Sequence, residues 1–136
     1  MRRRTTLGGL GAMVLLELTG TRRAMADSID TKGNHMIIVT VEVEFENDGI
    51  HEKRDAIKAM DEATAMEEGC IAYKSSFDAT NPRILRIYEM WESMDALVPH
   101  FKTRHMAEFQ AALSGLAAKG MDAKVYEVAR ELPFPN

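Results

Sequence analysis

The chain has 136 residues, 46% of them hydrophobic and 28% charged, with a formal net charge of -4. That is room for one domain with a modest core, and it offers no basic surface for nucleic acid. One cysteine, Cys70, excludes an internal disulfide, and no apolar run reaches the roughly 18 residues of a membrane span.

Residues 1–26, MRRRTTLGGLGAMVLLELTGTRRAMA, differ from the rest. Three arginines precede a mild, glycine-containing apolar run, and Ala24-Met25-Ala26 closes it with a small-x-small cleavage pattern. This is the layout of an export signal, nearer the twin-arginine type than the Sec type, although Glu17 interrupts the apolar run. The expected mature protein begins at Asp27 and is periplasmic, or cytoplasmic if the leader does not function. Cleavage would remove five arginines against one glutamate and leave a more acidic domain. Residues 27–34 read as a polar linker and 35–136 as the folded domain.

In residues 35–45, HMIIVTVEVEF, Ile37, Val39, Val41, Val43 and Phe45 alternate with Ile38, Thr40, Glu42 and Glu44, which predicts a strand with one apolar face. The turn Glu46-Asn47-Asp48-Gly49 follows. Ile50 to Met66 takes helical periodicity and stops at Gly69. Strands are predicted over Ile71–Phe77 and Arg83–Trp91, joined through Asp78-Ala79-Thr80-Asn81-Pro82. Ser93 fits an N-cap, with Asp95 in the first turn. Pro99 then asks for a short helix or a kink near Lys102. A helix is expected over Arg104–Ala118, stopped by Gly120, and a last strand over Lys124–Glu131. The order β-α-β-β-α-β is that of an α+β, ferredoxin-like sheet with helices on one face.

The corner Tyr88–Phe101, YEMWESMDALVPHF, carries the chemistry-bearing side chains. Trp91 is either a corner anchor or an indole donor in an aromatic pocket. Glu89 shares the apolar face of Leu85, Ile87 and Trp91, so it must be paired or protonated. His100 titrates near neutrality and could act as a general base or as a packed ring. His105, five residues on, reads as structural. An unbroken helix would hold the two histidines apart, and no acid or cysteine offers itself as a third ligand, so no metal is expected. Tyr73 and Tyr88 stand on paired strands as core rings or pocket hydroxyls. Arg86 shares the face of Ile84, Tyr88 and Met90 and is expected to pair with an acid across a subunit interface. Cys70 reads as buried and inert.

Glu68-Gly69-Cys70, Tyr73, Asn81-Pro82, Glu89-x-Trp91-Glu92, Ala96-Leu97, His100 and His105 occur in an order and spacing that resemble the antibiotic biosynthesis monooxygenase family. The likeness covers about residues 36–130. It implies a dimeric α+β barrel, two ferredoxin-like sheets packed face to face, with a small-molecule site between helices and sheet. It also implies a cofactor-independent monooxygenase acting with O₂ on a small phenolic or quinol-like compound. On that reading His100 is the base, Trp91 and Tyr73 are donors or walls, and Glu89 orients the base. Tyr88, His105 and Arg86 are candidate substrate contacts. An isomerase or lyase on the same site, and a haem-handling or non-catalytic binding protein, are the alternatives. The haem-degrading relatives' pattern is not met at Thr40-Val41-Glu42 or at His100.

Overall fold

The computed structural model describes residues 35–136; the expected leader and the expected linker lie outside them. Four antiparallel strands form one sheet: β1 (Ile37–Phe45), β2 (Cys70–Phe77), β3 (Ile84–Trp91) and β4 (Ala118–Glu127), in the spatial order β2-β3-β1-β4. A 3₁₀ turn (Asp48–Lys53) leads into α1 (Arg54–Thr64), and α2 (Met94–His100) and α3 (Arg104–Leu113) connect β3 to β4. This is the ferredoxin-like α+β arrangement predicted, with the second helical connection split in two. No described helix is long and apolar enough to cross a membrane.

Side-chain alternation assigns the two sheet faces. Val39, Val43, Phe45, Tyr73, Leu85, Ile87, Glu89 and Trp91 are buried beneath the helices, together with Ile57, Met60, Leu97, Met106 and Leu113. The other face presents Thr40, Tyr88 and Lys124 in one cross-strand row, with Thr40 paired to both neighbours. Side-chain caps start the 3₁₀ turn, α2 and α3, while α1 continues from the 3₁₀ turn without one. Asn47 accepts a hydrogen bond from the Gly49 amide, Ser93 from Ala96, and Thr103 from Met106.

Several boundaries differ from the sequence reading, the last strand among them ending at Glu127 and not Glu131. The segment after the first strand opens as a 3₁₀ turn before it becomes α1. The last helix ends at Leu113, five residues early, and β4 begins at Ala118, six residues early. Gly120, read as a helix stop, is a strand residue paired with Glu44. The cause is tertiary: β1 is nine residues long and offers a full row of backbone partners, and pairing from Ile37↔Glu127 to Phe45↔Ala118 satisfies them. Local helix periodicity over 114–118 cannot match that.

Candidate functional site

The site is assembled by a turn, a corner and a helix start. After α1 the chain reverses through Met66–Gly69, with the Glu67 amide donating to the Thr64 carbonyl at 3.0 Å and Cys70 to Glu67 at 3.1 Å. Gly69 takes a positive φ of 79°. A Cβ there would also lie 2.4 Å from the Cβ of Ala96 in α2. Only glycine lets the turn close this tightly onto α2, and this closure sets Glu67 over the α2–α3 junction.

There one carboxylate oxygen receives two imidazoles. Glu67 Oε1 lies 2.6 Å from His100 Nδ1 and 2.5 Å from His105 Nε2. Both are short even for an imidazole N–H donating to a carboxylate. The His100 side chain has no exposure, Glu67 has 14% and His105 23%, so the group runs from core to surface. Burial pulls the His100 pKa below its ordinary value, against the opposing hydrogen bond and charge of Glu67. A neutral His100 that donates from Nδ1 carries its lone pair on Nε2, and Nε2 is buried with no partner.

Three aromatic rings surround His100. Trp91 is centred 5.1 Å away, Phe101 5.4 Å and Tyr73 5.6 Å. Trp91 and Tyr73 are buried, while Phe101 is half-buried and meets the imidazole nearly edge-on. Glu89, 4% exposed, accepts a 2.8 Å hydrogen bond from Trp91 Nε1. Its carboxyl is pushed up to about 7, chiefly by burial, with the indole hydrogen bond opposing and the Glu67 charge adding. Tyr73 stands directly across from Glu89 on β2, and burial raises its hydroxyl pKa well above the ordinary value.

The structure therefore brings together His100, His105, Trp91, Tyr73 and Glu89, and corrects several roles. Glu89 serves the indole, and Glu67 is the carboxylate that orients His100. An acid does join the two histidines, because the turn between α2 and α3 frees them from a single helical axis. Tyr88 and Arg86 lie on the opposite sheet face, away from His100. Arg86 pairs within its own chain, with Asp78 at 2.7 Å and with Glu42, and no cross-subunit acid is required. The Thr80 hydroxyl first, then Arg86 and the Asn81 and Thr80 amides, all donating to Asp78, hold its carboxyl well below the usual range. Cys70 is half-buried rather than buried, and desolvation pushes its thiol up to about 11, which keeps it unreactive near neutrality. An open cleft of about 480 Å³ lies between α1 and β2, lined by Arg54, Lys58, Asp61, Lys74 and Phe77 among others. None of the His100 group borders it.

Glu67 was the residue missed. It is the acid of a Glu-x-Gly-Cys run, Glu67-Glu68-Gly69-Cys70, but its partners stand 33 and 38 positions away. No local pattern links them.

Trp91 tests the packing of this group. Trp91→Ala should destabilise the fold by about 3–5 kcal/mol through the cavity it leaves. Trp91→Phe should retain most of that stability and remove the donor to Glu89. Thermal melts of both variants check this, and equal losses would contradict a packing role for the indole.

The comparisons with known proteins agree with this architecture. The antibiotic biosynthesis monooxygenase family matches residues 36–112, more than half of the chain. The uncharacterized protein YjcS of Bacillus subtilis is 28% identical over 76 residues, covering 56% of this chain and 71% of its own. A crystal structure of a conserved protein of unknown function from Bacteroides thetaiotaomicron is 29% identical. It aligns with a TM-score of 0.63 over 71% of this chain and 100% of the other. A Deinococcus radiodurans protein named for the same family shares the fold, with 21% identity and a TM-score of 0.66 over 74% and 99% of the two chains. The chain belongs to the antibiotic biosynthesis monooxygenase family.

Proposed function

We propose that the protein is an exported, homodimeric, cofactor-independent monooxygenase that oxidises a small phenolic or quinol-like compound with O₂. One observation carries the reading: a neutral imidazole, packed among Trp91, Tyr73 and Phe101, whose Nδ1 is held by Glu67 and whose Nε2 is buried and unpartnered. A lone pair in such a place suits a phenolic proton. His100 takes that proton, and the Glu67 carboxylate offsets the imidazolium that forms. The phenolate is then electron-rich enough to reduce O₂. For a hydroquinone, one oxygen atom enters the ring to give a hydroxyquinone and the other leaves as water. The substrate supplies all four electrons. Trp91 and Tyr73 form the walls, and Phe101, the half-buried ring, is the side that must swing aside for entry. The outer face supports pairing of two sheets, since it carries Ile38, Ile84, Tyr88 and Met90.

Oxygen uptake tests the reading. With a panel of hydroquinones and hydroxyarenes, uptake should track formation of a hydroxylated quinone without added metal or flavin. The same preparation should scatter light as twice the monomer mass. A proton-shuttling isomerase or lyase is the second reading, favoured by Glu89. A carboxyl partly protonated near neutrality, bonded to the indole that lies tilted beside His100, offers an acid to complement the base. Substrate turnover without oxygen consumption would favour it and reject the monooxygenase.

A further inference from the structure

We propose that Glu67, His100 and His105 also form a binding site for one divalent transition-metal ion, and that occupancy of this site switches His100 off as a base. The second half rests on the base reading above; the first half stands without it.

The three donor atoms, Glu67 Oε1, His100 Nδ1 and His105 Nε2, all lie within 4.8 Å of one another. Two imidazoles and one carboxylate are a donor set for zinc, cobalt(II) and their neighbours. Calcium and magnesium take oxygen ligands instead. The donors come from three segments: the α1–β2 turn, the end of α2 and the first turn of α3. His100 is fixed in the core, while Glu67 and His105 are on the solvent side and leave an approach for the ion and its remaining ligands.

At bonds of about 2.0–2.2 Å, donors around a tetrahedral ion stand about 3.3–3.6 Å apart. The Oε1 atom, now 2.5–2.6 Å from both nitrogens, must therefore draw back. Glu67 can do so, because it sits in a turn and not in the sheet ladder. His105 can follow, being part-exposed.

The consequence for His100 is chemical. A neutral imidazole has one lone pair and one N–H. An ion on Nδ1 uses the lone pair there, so the proton must sit on Nε2. No net proton is released; the tautomer changes. Nε2 then becomes a buried donor with no hydrogen-bond acceptor beside it among the described residues. The lone pair that would receive the substrate proton is gone. The same residues cannot hold the ion and serve as base at once, so the metal is an inhibitor.

The test uses the full, untagged chain and cobalt(II) alone. Its visible d–d absorption should saturate at one ion per chain and be displaced by zinc. Glu67→Gln and His105→Ala should each weaken binding by about tenfold or more. The double variant His35→Ala/His51→Ala, which removes the other described histidines, should leave it unchanged. His105 is part-exposed, so His105→Ala keeps the test informative if Glu67→Gln folds poorly. Absence of a one-to-one endpoint, or insensitivity to both site variants, overturns the site. Zinc titrated into turnover should lower the rate in step with occupancy. A rate that rises with occupancy, or is unaffected at saturation, overturns the switch. If no substrate is turned over, the base reading fails and the cobalt spectrum alone decides the site.

Discussion

His100→Phe should leave the protein folded and lower turnover of its phenolic substrate by about 10²–10⁴, the usual effect of removing a general base. Phenylalanine keeps a ring among Trp91, Tyr73 and Phe101, and Glu67 retains its bond to His105. It has no lone pair to receive a proton. His100→Ala should behave differently. The sequence reading leaves His100 as either a general base or a packed ring, and for an exposed or pocket-lining base the loss would cost only on the order of 1 kcal/mol. The structure makes it fully buried. Truncation there opens a cavity under the indole and should destabilise the fold by about 2–4 kcal/mol. Thermal melts paired with oxygen uptake separate the two effects. Full turnover in a folded His100→Phe protein would remove His100 from the chemistry and leave the corner as a packed junction.

Glu89→Gln should make the protein more stable than the wild type above neutral pH, by about 3 kcal/mol, with no difference below about pH 4. The folded-state pKa is raised from 4.5 to about 7, so between these values the folded protein binds more protons than the unfolded chain. The stability contributed by protonated Glu89 is thus fully present below 4.5 and is lost as pH rises through about 7. Glutamine keeps an oxygen to accept the Trp91 Nε1 hydrogen and carries no proton to lose. His100 runs in the opposite sense. Its folded pKa is depressed, so its contribution is present above the ordinary histidine value and lost as pH falls below it. Both proteins share that term, and it cancels in the difference. Denaturant unfolding of the pair across pH 4–9 measures this. A stability difference that does not vary with pH would mean that Glu89 stays ionised in the core and that the indole, not burial, governs it.

The sequence by itself determined the parts that depend on short-range pattern. Period-two alternation over Ile37–Phe45 and Leu85–Trp91 assigned the faces, because a strand turns its side chains alternately whatever it pairs with. That alternation put Glu89 beneath the helices with Trp91 and put Arg86 and Tyr88 on the other face. Ser93 could be recognised as a cap because its hydroxyl answers an amide three residues away. Tertiary structure alone decided the rest. The start of β4 follows from the length of β1, a partner some 80 residues distant, and not from the helical pattern of 114–118. The pairing of Glu67 with His100 and His105 exists because Gly69 lets one turn close against Ala96, which brings an acid onto two histidines more than 30 residues further on. The state of His100 is decided in the same way. Its type made it a candidate base, but its burial, its Nδ1 partner and its unpartnered Nε2 are properties of the neighbours that packing supplies.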